Sequence, residues 1–394
     1  MRRSTAVAVA LVLVGTAGVT GCRLDPRDVL LDYVGAVAWG ENRSGQLGDG
    51  TQLSHIALTP VQDMASNVIR VSAGASHSLA VSRDGFVWAW GDNSYGQLGN
   101  GTTTPSLVPV RVPGLEGVLN VSAGAMHSLA YRSDGSVWAW GWNQFGQLGD
   151  GTFEDRHAPV QVIGLSNTVL QIAAGDRHSL AATFNREVFA WGDNNNGQLG
   201  KSAPAPIAQP RRVDYLPAKS YEIAAGGSNS MALGLEGNEL FAWGDNHFGQ
   251  IGDGTTITRY TAVRVPIPED VIIRSFAVSG GHTVMADANG RVFTWGYNIN
   301  GQLGQSPDQV PHPTPAQVSF TNGSVTEVAA GDWHTTVLTS AKTVFTWGCL
   351  DGEGPRPTCS VQARSVPGAV DVQFIEAGNE HDVATKYTPP VLEQ

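Results

Sequence analysis

The chain has 394 residues, 48 of them glycine, with 15% charged residues and a formal net charge of −11. So much glycine with so little charge excludes a long helical bundle or a disordered chain and points to a turn-dense β protein. The acidic balance repels phosphate backbones and argues against a nucleic-acid partner.

In chain order, the first feature is an export pattern. Arg2-Arg3 precede an apolar run over residues 6–14, too short to serve comfortably as a membrane span. The run leads to Val19-Thr20-Gly21-Cys22, which resembles the lipobox of bacterial lipoproteins. That resemblance implies removal of residues 1–21 and lipidation of Cys22, and places the protein in a bacterial cell envelope. Arg23 after the cysteine favours the outer membrane or cell surface over the inner membrane. Cleavage would remove Arg2 and Arg3 and no acid, taking the formal charge from −11 to −13. So acidic a chain would not adhere to anionic lipid through a basic patch, which leaves the acyl chains as the anchor. Residues 22–33 then form a tether of at most about 35 Å.

From residue 34 to 387 the chain repeats. A Trp-Gly pair recurs at Trp39, Trp90, Trp140, Trp191, Trp243, Trp295 and Trp347, at spacings of 50 to 52 residues. Seven units of about 51 residues mean one repeat architecture rather than several domains. Each interior unit reads as four short strands. In the first complete unit, VIRVSAG leads to HSLAVS, Arg83-Asp84-Gly85 turns, and FVWAWG runs back. Asp-Gly between two apolar runs is a tight-hairpin signal. Along FVWAW both faces are apolar, so both need cover, as in stacked sheets. A fourth strand, PVRV, follows a Gly-Gln-Leu-Gly loop. Residues 201–210 and 305–315 are proline-rich excursions at the outer edge, where proline blocks further strand pairing.

The ends complement each other. Trp39 has no Ala-Gly-His segment before it, and the last such segment, ending in His381, has no Trp-Gly after it. Joined, they make the seventh unit. The expectation is an all-β, seven-bladed β-propeller whose closing blade combines strands from both termini, followed by a short tail over residues 388–394. The unit containing Trp347 lacks Gly-Gln-Leu-Gly and carries Cys349 and Cys359 instead. With Cys22 lipidated, these two are an even pair in an exported protein, so a disulfide clamping that loop is expected, two free thiols being the alternative.

Ala-Gly-x-x-His-Ser followed by Trp-Gly-x-Asn-x-x-Gly-Gln-Leu-Gly resembles the repeat of the regulator of chromosome condensation family, over residues 34 to 387. The resemblance implies a seven-bladed propeller. It does not settle function, because functions within the family diverge. The founding member is a nucleotide exchange factor for a nuclear GTPase, a partner that an envelope lipoprotein would not meet. Plant ultraviolet-B receptors of this fold cluster tryptophans in the Gly-x-x-His turns. Here only Trp333 stands in one, so photoreception is not expected. A secreted bacterial propeller of similar type inhibits β-lactamases through one face, so the scaffold can serve as an exported protein-binding disc.

The repeated residues describe the scaffold. His77, His127, His178, His282, His334 and His381, with Asn229 in the remaining unit, read as turn-to-backbone ties rather than a metal ring, since zinc needs several ligands converging on one ion. Residues 197–202 resemble a phosphate loop, but Asn195 stands where that motif needs its first glycine. The Gly-Asp-Gly-Thr copies read as turns rather than calcium loops. Neither a catalytic motif nor a cofactor motif is readable. Partner information should lie where the units differ. Among the turn residues those are Met126, Arg177 and Trp333, with the turn before His282 read as one residue shorter at Gly281. Trp142 and Tyr297, just after their Trp-Gly pairs, form a second set. The reading is a non-enzymatic, monomeric, lipid-anchored propeller binding a protein, or a glycan, through one face. The alternative is an enzyme or glycan-binding propeller with its site in the central funnel.

Overall fold

The structure, a computed structural model, describes residues 34–165, 169–202, 204–216, 220–234, 238–350 and 358–387. The export pattern, Cys22, the tether and the tail lie outside the described residues. Among the described residues, twenty-eight strands form seven antiparallel four-stranded sheets. Blade 1 shows the plan: from axis to rim its strands are Val68–Ala73, His77–Ser82, Val87–Gly91 and Ser106–Arg111, here called a, b, c and d. Blades 2 to 6 repeat it, starting at Val118, Val169, Ser220, Ile273 and Val325. Blade 7 takes strands a and b from Val372–Ala377 and His381–Tyr387, and c and d from Val34–Gly40 and His55–Pro60. The seam is a full antiparallel ladder running from Val34 opposite Tyr387 to Gly40 opposite His381. The expected propeller, with its shared closing blade, is the observed one.

The strands are short because the turns on both sides are fixed by sequence. At one end Gly85 takes φ 80° in the b–c hairpin. At the other, Gly91 takes φ 102°, and a Cβ there would meet the Ser76 carbonyl oxygen at 2.5 Å. Only glycine lets the c strand leave so close to the neighbouring turn. Both faces of each sheet are apolar and both are covered. Leu79, Val87 and Leu98 of blade 1, for example, pack with Val118, Ala130 and Trp140 of blade 2. Seven such clusters fill the seven blade junctions, and the Trp-Gly tryptophans are almost completely buried. Each buried leucine or tryptophan contributes about 2–3 kcal/mol by burial.

Hydrogen bonds between blades follow one rule. The Gln97 carbonyl, in the Gly-Gln-Leu-Gly loop of blade 1, accepts from Trp140 Nε1 and from Ser128 Oγ of blade 2, both at 2.8 Å. Since the serine hydroxyl hydrogen is committed there, its oxygen accepts from His77 Nε2–H of blade 1 at 2.9 Å. The histidine is thereby fixed as the neutral Nε2–H tautomer. The same relay joins His127 to Ser179, His178 to Ser230, His282 to Thr335 and His381 to Ser78. The histidines therefore tie blade to blade through a side chain, not through backbone as the sequence reading had it.

Two junctions depart from the rule. In blade 4, Asn229 donates to the Ser279 carbonyl at 3.3 Å instead of reaching Thr283. At the junction of blades 6 and 7 the sequence has no Gly-Gln-Leu-Gly. There the serine is replaced by Asp382, an acceptor only, which takes His334 Nε2–H at 2.9 Å and the Thr336 hydroxyl at 2.8 Å with no exposure to water. Cys349 and Cys359 sit opposite each other on strands c and d of blade 6 and form a disulfide, Cα–Cα 4.0 Å. Leu350, next to the bridge, enters the core beside Trp39, so this blade does have a packing leucine.

Candidate functional site

Antiparallel order puts the a–b turns, which carry Gly-x-x-His, and the long c–d loops at the same end of every blade. The b–c hairpins lie at the opposite end. The first of these faces therefore displays all the residues in which the units differ most. The turn before His282 has full length, correcting the shorter turn expected at Gly281. Ser279 N–H donates to the His282 carbonyl at 3.0 Å, as Gly331 does to His334. Ser279 simply replaces the turn glycine, and its hydroxyl bonds His282 Nδ1 at 3.0 Å. The Nδ1 atoms of the other five histidines have no partner among the described residues.

Of the five candidate contacts, two meet. The Arg177 guanidinium lies 5.7 Å from the Trp142 ring and 5.3 Å from Phe145. Trp142 in turn stands 5.3 Å from Phe145 and 5.8 Å from Tyr95. Three blades thus assemble one aromatic platform capped by an arginine, worth about 0.5–1 kcal/mol per cation–π contact at an exposed site. Met126 is half-buried beside it, its carbonyl accepting from Trp142 N–H at 2.9 Å. Tyr297 belongs to a second pair with Phe248, ring centroids 4.3 Å apart. Trp333 is 38% exposed and stacks on no other ring among the described residues, so it faces solvent rather than filling a gap between blades. Tyr95, Phe145 and Phe248 were missed in the sequence. They all stand directly before the Gly-Gln-Leu/Ile-Gly loops, a position that reads as variable filler until the loops are brought side by side.

Along the axis runs a channel of about 1310 Å³ lined by the a strands. Its wall carries Arg70, Arg274, Lys342, Glu222, Glu327 and Glu376, with Asp176 and Asp332 at the mouth on the loop face. Burial pushes Glu222 up to about 7. Burial and then the neighbouring Glu376 push Glu327 up to about 8. Burial and then Asp382 raise Glu376 to about 7. Asp332 is raised to about 7 by burial, then by Asp176 and Glu380, against the opposing pull of His334. No group of three or more metal-ligating side chains converges, and no helix long and apolar enough to cross a membrane occurs, among the described residues.

The profile of the RCC1-like domain matches residues 29–232, and that of the regulator of chromosome condensation (RCC1) repeat matches residues 238–286 and 289–338. The ultraviolet-B receptor UVR8 of Arabidopsis thaliana is 33% identical over 340 residues, covering 82% of this chain and 66% of the receptor. The probable human E3 ubiquitin-protein ligase HERC3 is 36% identical over 84% of this chain, which spans 32% of that protein. Among solved structures, Prp20p of Saccharomyces cerevisiae superposes with a TM-score of 0.79 at 22% identity, over 92% of this chain and 95% of that one. Human WBSCR16 superposes at 0.77 and 23% identity, over 90% and 99%.

Proposed function

The chain belongs to the family of RCC1-repeat proteins, and from that premise we propose that it is an envelope-anchored, non-catalytic propeller that binds a protein partner through its loop face. The carrying observation is the Arg177–Trp142–Phe145–Tyr95 platform, with the exposed Trp333 on the same face. Arginine and tryptophan are the residues most enriched in binding hot spots. Among solved relatives, Prp20p is described with binding properties toward Gsp1p and histones and in complex with Kap60, so propellers of this fold do dock proteins. Cys22 supplies the lipid anchor in this reading, which holds a monomeric propeller close to its membrane. Pull-down from the envelope, compared between the natural chain and a Trp333→Ala/Arg177→Ala variant, tests it. Loss of specific partners is expected, and an identical partner list would refute the assignment of the face. The channel carboxylates favour one second reading, a glycan-active site on the axis. Turnover in a panel of glycoside substrates, abolished by Glu327→Gln, would establish that instead.

A further inference from the structure

Charge is distributed unequally between the two ends of the propeller. On the loop face, the first position after the tryptophan–glycine pair is occupied by Glu41, Asp92, Asp193 and Asp245 in four of the blades. The inner turns add Asp176, Asp332 and Glu380. In the same turns and loops stand Arg43, Arg177 and His247, while the further cations His55, Arg156, Lys201, Arg259 and His312 are paired with Asp49, Asp150, Asp214, Asp253 and Asp308. Arg43 is used by Glu41 at 3.3 Å, and His247 pairs with Asp245. Asp92, Asp176, Asp193, Asp332 and Glu380 form no ion pair among the described residues. The hairpin face is different. There Arg132 meets Asp134 at 3.4 Å, Arg291 meets Asp287 at 2.6 Å and Arg212 meets Glu187 at 3.4 Å, so both signs are present and matched.

The unmatched carboxylates border apolar surface. Asp332 precedes the exposed Trp333, and Asp176 precedes Arg177 on its platform of Trp142 and Phe145. An acid beside an open aromatic ring, as Asp332 stands beside Trp333, suits a guanidinium or ammonium group, which takes an ion pair from one and a cation–π contact from the other, whereas the rings near Asp176 already carry Arg177. Asp176 and Asp332 also repel each other across the channel mouth, so this arrangement works against the fold. A cation seated between them would relieve that repulsion.

We infer that the loop face takes an extended, arginine- or lysine-bearing segment of its protein partner, laid across the channel mouth from the Trp333 corner to the Arg177 platform. The inference rests on the protein-binding reading above and gives its partner a chemistry. Because complementary charge acts mainly through encounter rate and register, binding should weaken steeply with salt.

The test uses the full chain in detergent and two fluorescein-labelled decapeptides, one alternating arginine and glycine, the other aspartate and glycine. Fluorescence anisotropy should show binding of the first and not the second. Asp176→Asn/Asp332→Asn should weaken it about tenfold, a loss of about 1.4 kcal/mol, while raising Tm through relief of repulsion. Trp333→Ala should weaken it as well. Asp134→Asn, on the hairpin face, should leave it unchanged. Equal binding of both peptides, or equal losses from the two faces, overturns the inference, as does a raised Tm with unaltered affinity. If the envelope pull-down returns a partner that needs Arg177 and Trp333 but docks through an acidic or neutral segment, this inference falls while the protein-binding reading stands. A pull-down insensitive to that variant overturns both.

Discussion

Replacing His178 by asparagine should make the protein less sensitive to acid, although the substitution weakens it at neutral pH. His178 is wholly buried and donates Nε2–H to Ser230 at 2.8 Å. Burial lowers its pKa from 6.5 to about 3. A group that resists protonation in the folded state contributes stability that is complete above its unfolded pKa and is lost as pH falls toward its folded one. From pH 7.5 to pH 5 that loss is about 1.5 × 1.36, or about 2 kcal/mol. Asn229 shows that an amide fits this site in another blade. At pH 7.5 the variant should be less stable by about 2–3 kcal/mol, from a lost hydrogen bond and imperfect packing. At pH 5 the deficit should shrink by about 2 kcal/mol, because asparagine has no proton to refuse. His77, His127, His282 and His381 have lowered pKa values for the same reason, and the raised channel carboxylates act in the opposite sense from about pH 4.5 up to about 7 or 8. The difference between variant and natural chain cancels all of them. Guanidinium unfolding followed by tryptophan fluorescence at pH 7.5, 6 and 5 reads it directly. Parallel pH profiles would refute the account of a buried neutral histidine.

Other substitutions test other parts of the ring. Glu327→Gln should raise Tm at pH 9 and leave it nearly unchanged at pH 4.5. The carboxyl's pKa, raised to about 8, makes its contribution complete below the unfolded value near 4.5 and lost as pH climbs through 8; an equal Tm shift at both pH values would contradict this. Asp382→Ala should cost about 3 kcal/mol, because His334 Nε2 and the Thr336 hydroxyl lose their acceptor in a fully buried site, and Asp382→Asn should recover part of it. Opening the Cys349–Cys359 bridge, which spans 10 residues, with a double serine variant should cost about 3 kcal/mol, measured by denaturant midpoint. Deleting residues 22–40 removes strand c of blade 7 and should unfold the whole ring in one transition; a truncated chain with the full Tm would argue against closure.

The fold was legible because its determinants are local and repeated. Trp140-Gly141 and Asp134-Gly135 specify a strand end and a hairpin within one unit, and seven copies of the Trp-Gly pair point to a repeat architecture. The seam was legible too, since Trp39 and His381 each lacked what the other had. What escaped depends on neighbours about 50 residues away. Nothing within one unit says that His77 will reach Ser128, or that Asp382 stands where the other blades offer His a serine or threonine hydroxyl. The same holds for the platform. Trp142 and Arg177 were picked out as departures from the repeat, while Tyr95 and Phe145 were not, because an aromatic residue in a loop carries no sign of which ring it will meet. The channel carboxylates were invisible for a simpler reason. Glu222 and Glu327 look like ordinary polar positions of a strand until that strand is known to be innermost.

The seam has a topological consequence. Because Val34 pairs with Tyr387, the two ends of the propeller are neighbours in space, and a short glycine-rich linker could join them. The chain could then be cut at any hairpin tip, such as Asp84-Gly85 or Asp134-Gly135, and should still close into the same ring. A lipid anchor at Cys22, as proposed above, would have to be placed at the new N-terminus. A set of such circular permutants would move the chain ends around the ring while keeping every blade junction, and under the proposed anchoring would separate what the propeller recognises from the direction in which it is held.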